Sequence, residues 1–330
     1  MELLKKIGKW ALIVIFTLTM IILGARLSKR FMYGDFFANS TSHGDMPGLF
    51  DGFVPQGLET YGDGFFVAGY MTDDSASRLY YVKDGEKPKT VILKKANGED
   101  FTGHCGGVAI GGNYFYVGGS GGMYVFSLDD ITDGDGEAKQ IGKFEAGMTA
   151  SWVYTFDGYV YIGTFADGGE YKSQDWQSCE TPAGDKNPSL MTRFKIDPEE
   201  ELGLSPLPDC AWSIRHWVQG AAVTPDGIIL STSSGINASS FYFYPHNDSY
   251  KGEVVYDEGG EKQVTIPLYY LDSQSSSYVL NSIPMAEEIE VVGGRLYVAN
   301  ESACGKYLFG WLLGGEKFYS TELKERYWGK

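Results

Sequence analysis

Polar side chains stand at or beside five equivalent positions of the chain, which lie about seven residues before each of five short turns. The five positions are occupied by Gln56, Cys105, Ala150, Gln219 and Ala286, and their neighbours include His104, Thr149, Ser151, Glu287 and Glu288. A polar group at the start of an otherwise apolar strand is uncommon unless a partner satisfies it. If the five segments form one ring, these side chains converge on its central channel.

One hypothesis from these residues is a metal-dependent hydrolase. Carboxylate and amide oxygens are ligands for Ca²⁺, so Gln56, Gln219 and Glu287 or Glu288 could hold a hard cation at the channel mouth. The cation would polarise an ester, a lactone or a phosphate, and His104 would be the catalytic base. Calcium takes about six to eight oxygens, more than this set supplies with certainty. Further carboxylates without an assigned place are Asp257, Asp272 and Glu301.

The hypothesis that the sequence favours is a ligand-binding or protein-interaction module. In that case the same polar groups hydrogen-bond water or the backbone, and the ligand is a small molecule, a glycan or a protein. Trp212, Arg215 and Trp217 crowd one connection of the chain and predict an aromatic and cationic wall for a sugar or an anionic group. Packing between neighbouring sheets is the alternative explanation for these three residues.

Several other functions are disfavoured. The net charge is -16, with 43 acidic and 27 basic residues, which argues against nucleic acid as a partner because phosphates are bound by clustered Lys and Arg. The glycines near residues 111 and 118–122 have no following helix and no Lys-Ser/Thr pair, so they predict no phosphate-binding loop. If His104 and Cys105 are adjacent on a strand, they point to opposite faces, which disfavours them as a catalytic pair.

The elements that position these residues are five copies of one hairpin. The copies begin at Val54, His104, Thr149, Val218 and Met285, and their turns are Asp63-Gly64, Gly112-Asn113, Asp157-Gly158, Asp226-Gly227 and Gly293-Gly294. Such dipeptides adopt the positive φ of tight hairpins. Each copy is followed by a further strand-like run, at residues 78–83, 123–128, 190–196, 241–244 and 306–313. Three or four strands per repeat predict an all-β, five-bladed β-propeller, with a two-sheet sandwich as the alternative.

The lengthened copies carry two insertions, at residues 165–212 and 250–282. Insertions of this kind fall on one rim of a propeller, often the binding rim. The segments VQGAAVTPDGIILSTSSG and VPQGLETYGDGFFVAGY resemble those of gluconolactonase-like and strictosidine-synthase-like propellers, and more loosely those of NHL-like propellers. The resemblance covers most of residues 54–312 as a style of repeat, and it implies a radial architecture with a central channel. Those families usually have six blades.

The first thirty residues predict a membrane anchor. Lys5, Lys6 and Lys9 precede an uncharged apolar run from Trp10 to Ala25, and basic residues follow it. With residues 7–9 the run reaches nearly the ~20 residues that cross a bilayer. We expect residues 1–30 to be an uncleaved anchor, 31–50 a stalk and 51–330 the propeller, placed outside the cytoplasm at the cell membrane. Cleavage as a signal peptide is the alternative.

The four cysteines lack the CxxC spacing of zinc ribbons and thioredoxin-type sites. In an exported domain Cys179 and Cys210 could form a disulfide across the first insertion. Free buried thiols are the equally weighted alternative.

Overall fold

The computed structural model describes residues 2–258 and 263–328, and it begins with a long helix outside the β-domain. Helix α1 (Glu2–Met32) is followed by the short helix α2 (Gly34–Asn39). Within α1, residues 5–32 form a segment long and apolar enough to cross a membrane, and its most apolar window is not buried against the rest of the chain. The length follows from the uninterrupted run of helix-compatible apolar residues, since no Gly-Pro or Asx-type stop occurs before Met32.

The β-domain contains five antiparallel strand groups, which we call blades 1 to 5; the outer strands of blades 1 and 2 also pair with each other in parallel. Strand β1 (Ser40–Asp45) comes first in the chain and belongs to blade 5. Blade 1 contains β2 (Phe53–Tyr61), β3 (Gly64–Met71), β4 (Arg78–Val82) and β5 (Lys89–Lys94). Blade 2 contains β6 (Val108–Gly111), β7 (Tyr114–Gly119), β8 (Gly122–Ser127) and β9 (Glu137–Glu145), with helix α3 (Leu128–Thr132) before β9.

Blades 3 and 4 carry the insertions. Blade 3 contains β10 (Trp152–Phe156), β11 (Tyr159–Gly163), β14 (Ser189–Lys195) and β15 (Cys210–Ile214), and the hairpin of β12 (Cys179–Glu180) with β13 (Lys186–Asn187) precedes β14. Blade 4 contains β16 (Val218–Thr224), β17 (Gly227–Thr232), β18 (Ser239–Pro245) and β21 (Ser277–Ser282). Between its last two strands, β19 (Lys251–Asp257) and β20 (Gln263–Tyr270) form a hairpin. Strand β20 pairs in parallel with β15, so the second insertion extends blade 3.

Blade 5 closes the ring with strands from both ends of the chain. It contains β22 (Ala286–Val292), β23 (Arg295–Asn300) and β24 (Lys317–Glu322), with helix α4 (Leu308–Leu313) before β24. Strand β1 pairs antiparallel with β24 as the outermost strand, and the Arg295 guanidinium donates to Thr41 Oγ1 at 2.9 Å. The segment predicted as a stalk, residues 31–50, therefore contributes a strand to the sheet. Its alternating Ser, Thr and His residues give no apolar pattern from which to infer a strand.

The innermost strands of the five blades surround one axis. Each inner strand contacts the next, in the order β2, β6, β10, β16 and β22, and β22 contacts β2. This closed cycle confirms the five-bladed propeller and replaces the sandwich alternative. The apolar faces of adjacent blades pack against each other, with Trp152, Tyr116, Phe115 and Phe241 fully buried between them. We call the face where the inner strands begin the upper face, and the face where they end the lower face.

The five hairpins form as predicted, with small shifts in the turns. Asp157 and Gly158 both have positive φ, at 48° and 77°, which suits the tight turn between β10 and β11. In blades 1 and 4 the turn lies one residue earlier, because Tyr61 pairs with Gly64 and Thr224 with Gly227.

The predicted strand at residues 306–313 is wrong. Leu308–Leu313 is helix α4, and the third strand of blade 5 is β24. Apolar residues fill this segment without alternation, so the pattern does not separate strand from helix. The Trp311 side chain packs against Arg26 of α1, a contact that fixes the helical arrangement.

All four cysteines are free thiols in the structure. Cys105, Cys210 and Cys304 are buried, and Cys179 is half-buried. The disulfide between Cys179 and Cys210 is therefore not formed in the structure. The arrangement agrees with the alternative expectation of unpaired thiols.

Candidate functional site

Three inner strands carry a β-bulge at the predicted polar positions. In β2 the pair Pro55 and Gly69 is followed by Gly57 and Ala68, so Gln56 is the extra residue. In β16 the extra residue is Gln219. A bulge bends the strand and re-aims its side chains. Two glutamine side chains that simple alternation would not place together are therefore brought to the start of the channel.

The third bulge lies in β22 and redirects two neighbouring glutamates. Ala286 pairs with Asn300 and Ile289 with Val298, so Glu287 and Glu288 together oppose one residue of β23. The two side chains have different surroundings. Glu288 is fully buried in the channel, and Glu287 lies towards the upper mouth with Glu301 and Gln219.

Glu288 connects three blades through backbone hydrogen bonds. Its Oε2 accepts from the N–H of Leu58 at 2.6 Å and of Val108 at 3.0 Å, and its Oε1 accepts from Val153 N–H at 3.1 Å. Burial raises the pKa of Glu288 well above its usual range, while the three N–H donors act in the opposite direction. Since both oxygens already accept these bonds, the carboxyl joins blades 1, 2, 3 and 5 and is not aimed at the mouth as a metal ligand.

The upper mouth is built around Glu301. Its Oε2 accepts from Gln56 Nε2 at 2.7 Å and from the Tyr307 hydroxyl at 3.3 Å. Burial raises the pKa of Glu301 to about 7, while Tyr307, Lys306 and Gln56 favour its charged form. A carboxyl with a pKa near neutrality can both accept and donate a proton under physiological conditions.

A second carboxyl, Glu287, shares this mouth. Gln219 Nε2 lies 3.4 Å from Glu287 Oε1. Burial is the largest cause that raises the pKa of Glu287 well above its usual range, and the negative charges of Glu301 and Glu288 add to it. A carboxyl whose pKa is raised by neighbouring carboxyls binds a positive charge favourably, because a cation relieves the repulsion between them.

His104 lies at the edge of the same mouth. Its ring stacks on Tyr70 with the centroids 4.5 Å apart, and the Lys306 ammonium donates to the Tyr70 hydroxyl. The His104 side chain is exposed, and desolvation by the protein around its ring together with the Lys306 charge lowers its pKa to about 4. His104 is therefore neutral at pH 7 and a weak base, whereas Glu301 has the pKa of an effective one.

Three of the five equivalent positions contribute no polar group to the mouth. Ala150 and Ala286 are buried without a polar side chain, and Cys105 is fully buried. Burial raises the pKa of the Cys105 thiol to about 12, which keeps it protonated. A buried, protonated thiol is a poor nucleophile.

The lower end of the channel holds a separate carboxyl pair. Glu59 accepts from the Ile110 N–H at 3.0 Å, and burial raises its pKa to about 8. Burial and the charge of Glu59 raise the pKa of Glu290 well above its usual range, and the Tyr154 hydroxyl bonds to it. This pair offers a natural comparison for the upper mouth, because its carboxyls are equally buried but lie at the other face.

The predicted aromatic and cationic wall is divided between two places. Arg215 and Trp217 line a cavity of about 400 Å³, together with Asp185 and Asp272 from the two insertions. The Arg215 guanidinium lies 3.9 Å from the centre of the Tyr242 ring. Trp212 does not face this cavity. Its side chain is 7% exposed and stacks on Tyr269, which agrees with the alternative prediction that it packs between strands.

Trp217 has a φ of 64°, unusual for a bulky residue. Cys105 and Met285 precede their own inner strands with φ values of 55° and 57°. This backbone conformation is thus repeated before three inner strands, so it belongs to the blade connection and is not a special feature of Trp217.

The residues at the upper mouth fit a cation only in part. Within residues 2–258 and 263–328, no group of three or more His, Cys, Asp and Glu side chains could hold a metal ion. Glu287 and Glu301 supply two carboxyls, and the amide oxygens of Gln56 and Gln219 are the additional donors that suit Ca²⁺. Of the unassigned carboxylates, Glu301 lies at the mouth. Asp272 instead bonds Tyr250, and Asp257 bonds Gln263.

Sequence reasoning missed Tyr70, Lys306 and Tyr307 as mouth residues. Lys306 and Tyr307 follow Glu301 in the connection before α4, and Tyr70 is the residue before the end of β3. Their position in the repeat could have indicated them. All three lie at or just after the end of the second strand of a repeat, and that end is on the same upper face as the starts of the inner strands.

Comparison with known proteins gives distant structural similarity only. No family model matches the chain, and no curated protein matches it. A glucose dehydrogenase structure is 13% identical with a TM-score of 0.39, covering 86% of this chain and 99% of its own. A protein assigned as a gluconolactonase is 13% identical with a TM-score of 0.36, covering 87% and 92%. A nidogen/laminin complex is 11% identical with a TM-score of 0.36, covering 76% and 73%. The propeller assignment is carried by the ring of inner strands described above.

Proposed function

We propose that this protein is a membrane-anchored, extracytoplasmic propeller that binds a small ligand at its upper mouth through a positively charged or hydrogen-bond-donating group. The observation that carries the proposal is the buried pair of Glu287 and Glu301, whose pKa values are both raised. A ligand cation between them would favour their charged forms and regain the energy lost in desolvation.

Neighbouring groups support a ligand at this place. Asn300 precedes Glu301, is 1% exposed, and neither polar atom of its amide forms a hydrogen bond with the described residues. Leaving buried polar atoms unpaired costs about 1–3 kcal/mol per group, which a bound ligand or water would offset. Buried carboxyls at the mouth are thus accompanied by an unsatisfied amide on the residue before Glu301, as expected of a binding site rather than of a packed core.

The anchoring part of the proposal depends on α1. Residues 1–30 act as a single-pass anchor, with the propeller outside the cytoplasm at the cell membrane. The apolar composition of residues 5–32 supports this arrangement. The cavity lined by Arg215 and Trp217 is a second place for a small molecule or glycan, since 400 Å³ lies within the usual range for ligand pockets.

Thermal melting of the full chain in lipid nanodiscs tests ligand binding at the mouth. Calcium chloride, magnesium chloride, choline and ethanolamine serve as probes, each compared with a chelator-treated sample. We expect at least one cation to raise the Tm of the wild type, and Glu301→Gln and Glu287→Gln to abolish the shift.

Glu59→Gln, at the lower end of the channel, is the matched control and should keep the full shift. Equal shifts in the wild type and both mouth variants would contradict the proposal. The same holds if none of the four probes changes the Tm.

A second candidate function is a Ca²⁺-dependent hydrolase of the lactonase type. It is favoured by Glu301, whose pKa of about 7 suits an acid or base, and by the nearby Tyr307 hydroxyl and Lys306 ammonium. When bound, Ca²⁺ would polarise the carbonyl of an ester or lactone. Glu287, Gln56 and Gln219 would hold it, which leaves Glu301 or His104 to accept a proton.

Hydrolysis of p-nitrophenyl acetate and δ-valerolactone by the full chain, with Ca²⁺ or chelator, distinguishes the two functions. A Ca²⁺-dependent rate that is lost in Glu301→Gln supports the enzyme, and loss in His104→Ala would identify His104 as the base. Binding of a probe without any hydrolysis would support the ligand-binding module.

A further inference from the structure

The last turns of α1 are fastened to the loop that carries α4. Arg26 Nη2 lies 2.7 Å from Glu316 Oε1, and the Arg26 guanidinium lies 4.5 Å from the centre of the Trp311 ring. Lys29 Nζ donates to the Gly314 carbonyl at 2.9 Å. These contacts fix the position of the propeller relative to the end of the apolar segment.

Arg26 also marks a depth in the membrane. It is the first charged residue after the apolar run that starts at Trp10. A helix rises 1.5 Å per residue, so the Arg26 backbone lies within about one residue of the end of the apolar segment, and its guanidinium belongs among the lipid headgroups. Trp311, in contact with that guanidinium, must lie at the same depth. Tryptophan is enriched at this interface because its ring is apolar and its N–H is polar.

The loop at this depth belongs to the upper face of the propeller. It connects β23 with β24, and it carries the mouth residues Glu301, Lys306 and Tyr307. Phe50 is 77% exposed in the link between β1 and β2 on the same face, where the Gly305 N–H donates to the Leu49 carbonyl at 3.3 Å. Further exposed apolar side chains on upper-face connections are Tyr171, Trp217 and Ile236.

We propose that the upper face, with α4 and Phe50, docks on the lipid bilayer that α1 spans, so that the mouth opens onto the membrane surface. The occupant of this face is the bilayer itself. Docking relies on aromatic and apolar side chains and on the tether, because a chain of net charge -16 gains no general attraction to anionic lipid. The arrangement holds whether or not the mouth binds a cation, and its failure is seen separately from that of the ligand-binding proposal.

Bromolipid quenching of tryptophan fluorescence tests the arrangement on the full chain in phosphatidylcholine nanodiscs. The lipids carry bromine near the glycerol end of the acyl chains, where it quenches only interfacial rings. We expect Trp311→Phe to reduce the quenchable emission by about as much as Trp10→Phe, whose ring lies at the other end of the apolar segment.

Trp328→Phe is the matched control, because Trp328 packs beside the lower-face turn at Gly294. It should leave the quenchable emission unchanged. Circular dichroism confirms that each variant is folded. Quenching that is the same in the wild type and Trp311→Phe, while Trp10→Phe reduces it, overturns the docking. If Trp10 is not quenched either, α1 is not in the bilayer and the proposal fails for that reason.

Discussion

The Glu288 carboxylate accepts a hydrogen bond from the Leu58 N–H at 2.6 Å, although 230 residues separate the two in sequence. The bond joins blade 5 to blade 1 across the point where the ring closes. Together with the bonds from Val108 and Val153, it makes one side chain the common acceptor for three inner strands. A buried acceptor of three backbone donors is costly to alter, since each unpaired N–H carries its own desolvation penalty.

Glu288→Gln should destabilise the propeller by about 1–3 kcal/mol, because the new NH₂ group faces a backbone N–H and one acceptor is lost. Chemical denaturation followed by tryptophan fluorescence measures the change. Glu287→Gln is the matched control: it occupies the same bulge, and we expect it to be neutral or stabilising because burial disfavours the charged form of Glu287 and the amide carries no charge. A silent Glu288→Gln would show that the three bonds do not hold the ring together.

Stability should fall as the pH rises from about 4.5 to about 8. Folding raises the pKa of Glu301 from 4.5 to about 7 and that of Glu59 to about 8, so the folded state binds more protons than the unfolded state in this window. Stability from the neutral carboxyls is complete below the unfolded pKa and is lost as the pH passes through the folded pKa.

Melting curves at intervals between pH 4.5 and 8.5 check this dependence. Glu301→Gln and Glu59→Gln should each flatten it, whereas the surface change Glu99→Gln should not. A Tm that rises steadily with pH over this range would refute the assignment of neutral buried carboxyls.

The pKa of His104 should rise when Lys306 is replaced by Met. The Lys306 ammonium disfavours a second positive charge on the imidazole, whose pKa is lowered to about 4. The chain has four histidines, so the ring C–H signals of His104 can be followed by NMR titration and assigned with His104→Gln. Lys324→Met, on the connection after β24 at the lower face, should leave the titration unchanged.

Removing β1 should weaken the ring. A chain of residues 31–330 keeps the pairing of β1 with β24, whereas a chain of residues 46–330 exposes the edge of β24. We expect the shorter chain to melt at a lower temperature and to associate through the open edge. Calorimetry and size-exclusion chromatography of the two chains make the comparison. Equal Tm values would mean that blade 5 is stable with three strands.

Much of the candidate site follows from the repeat. Gln56 and Gln219 occupy the same place in their copies, and ring symmetry alone predicts that they and the start of β22 meet at one mouth. The repeat does not predict the bulge in β22 that gives Glu287 and Glu288 different surroundings. A bulge depends on which backbone pairs are formed across the sheet. Lys306, Tyr307 and α4 lie in a connection whose length differs between blades, so the repeat carries no information about them.

The sequence by itself determined the apolar N-terminal helix and the five hairpins and predicted the ring, because these depend on local hydrophobic pattern and turn residues repeated along the chain. Only the tertiary structure decided that β1 completes blade 5, that Glu288 lies on the axis and that Glu301 faces Gln56. Each of these is a contact between distant segments of the chain. Hydrogen-bond satisfaction and burial select such contacts, and they produce no repeating pattern in the sequence of either segment alone.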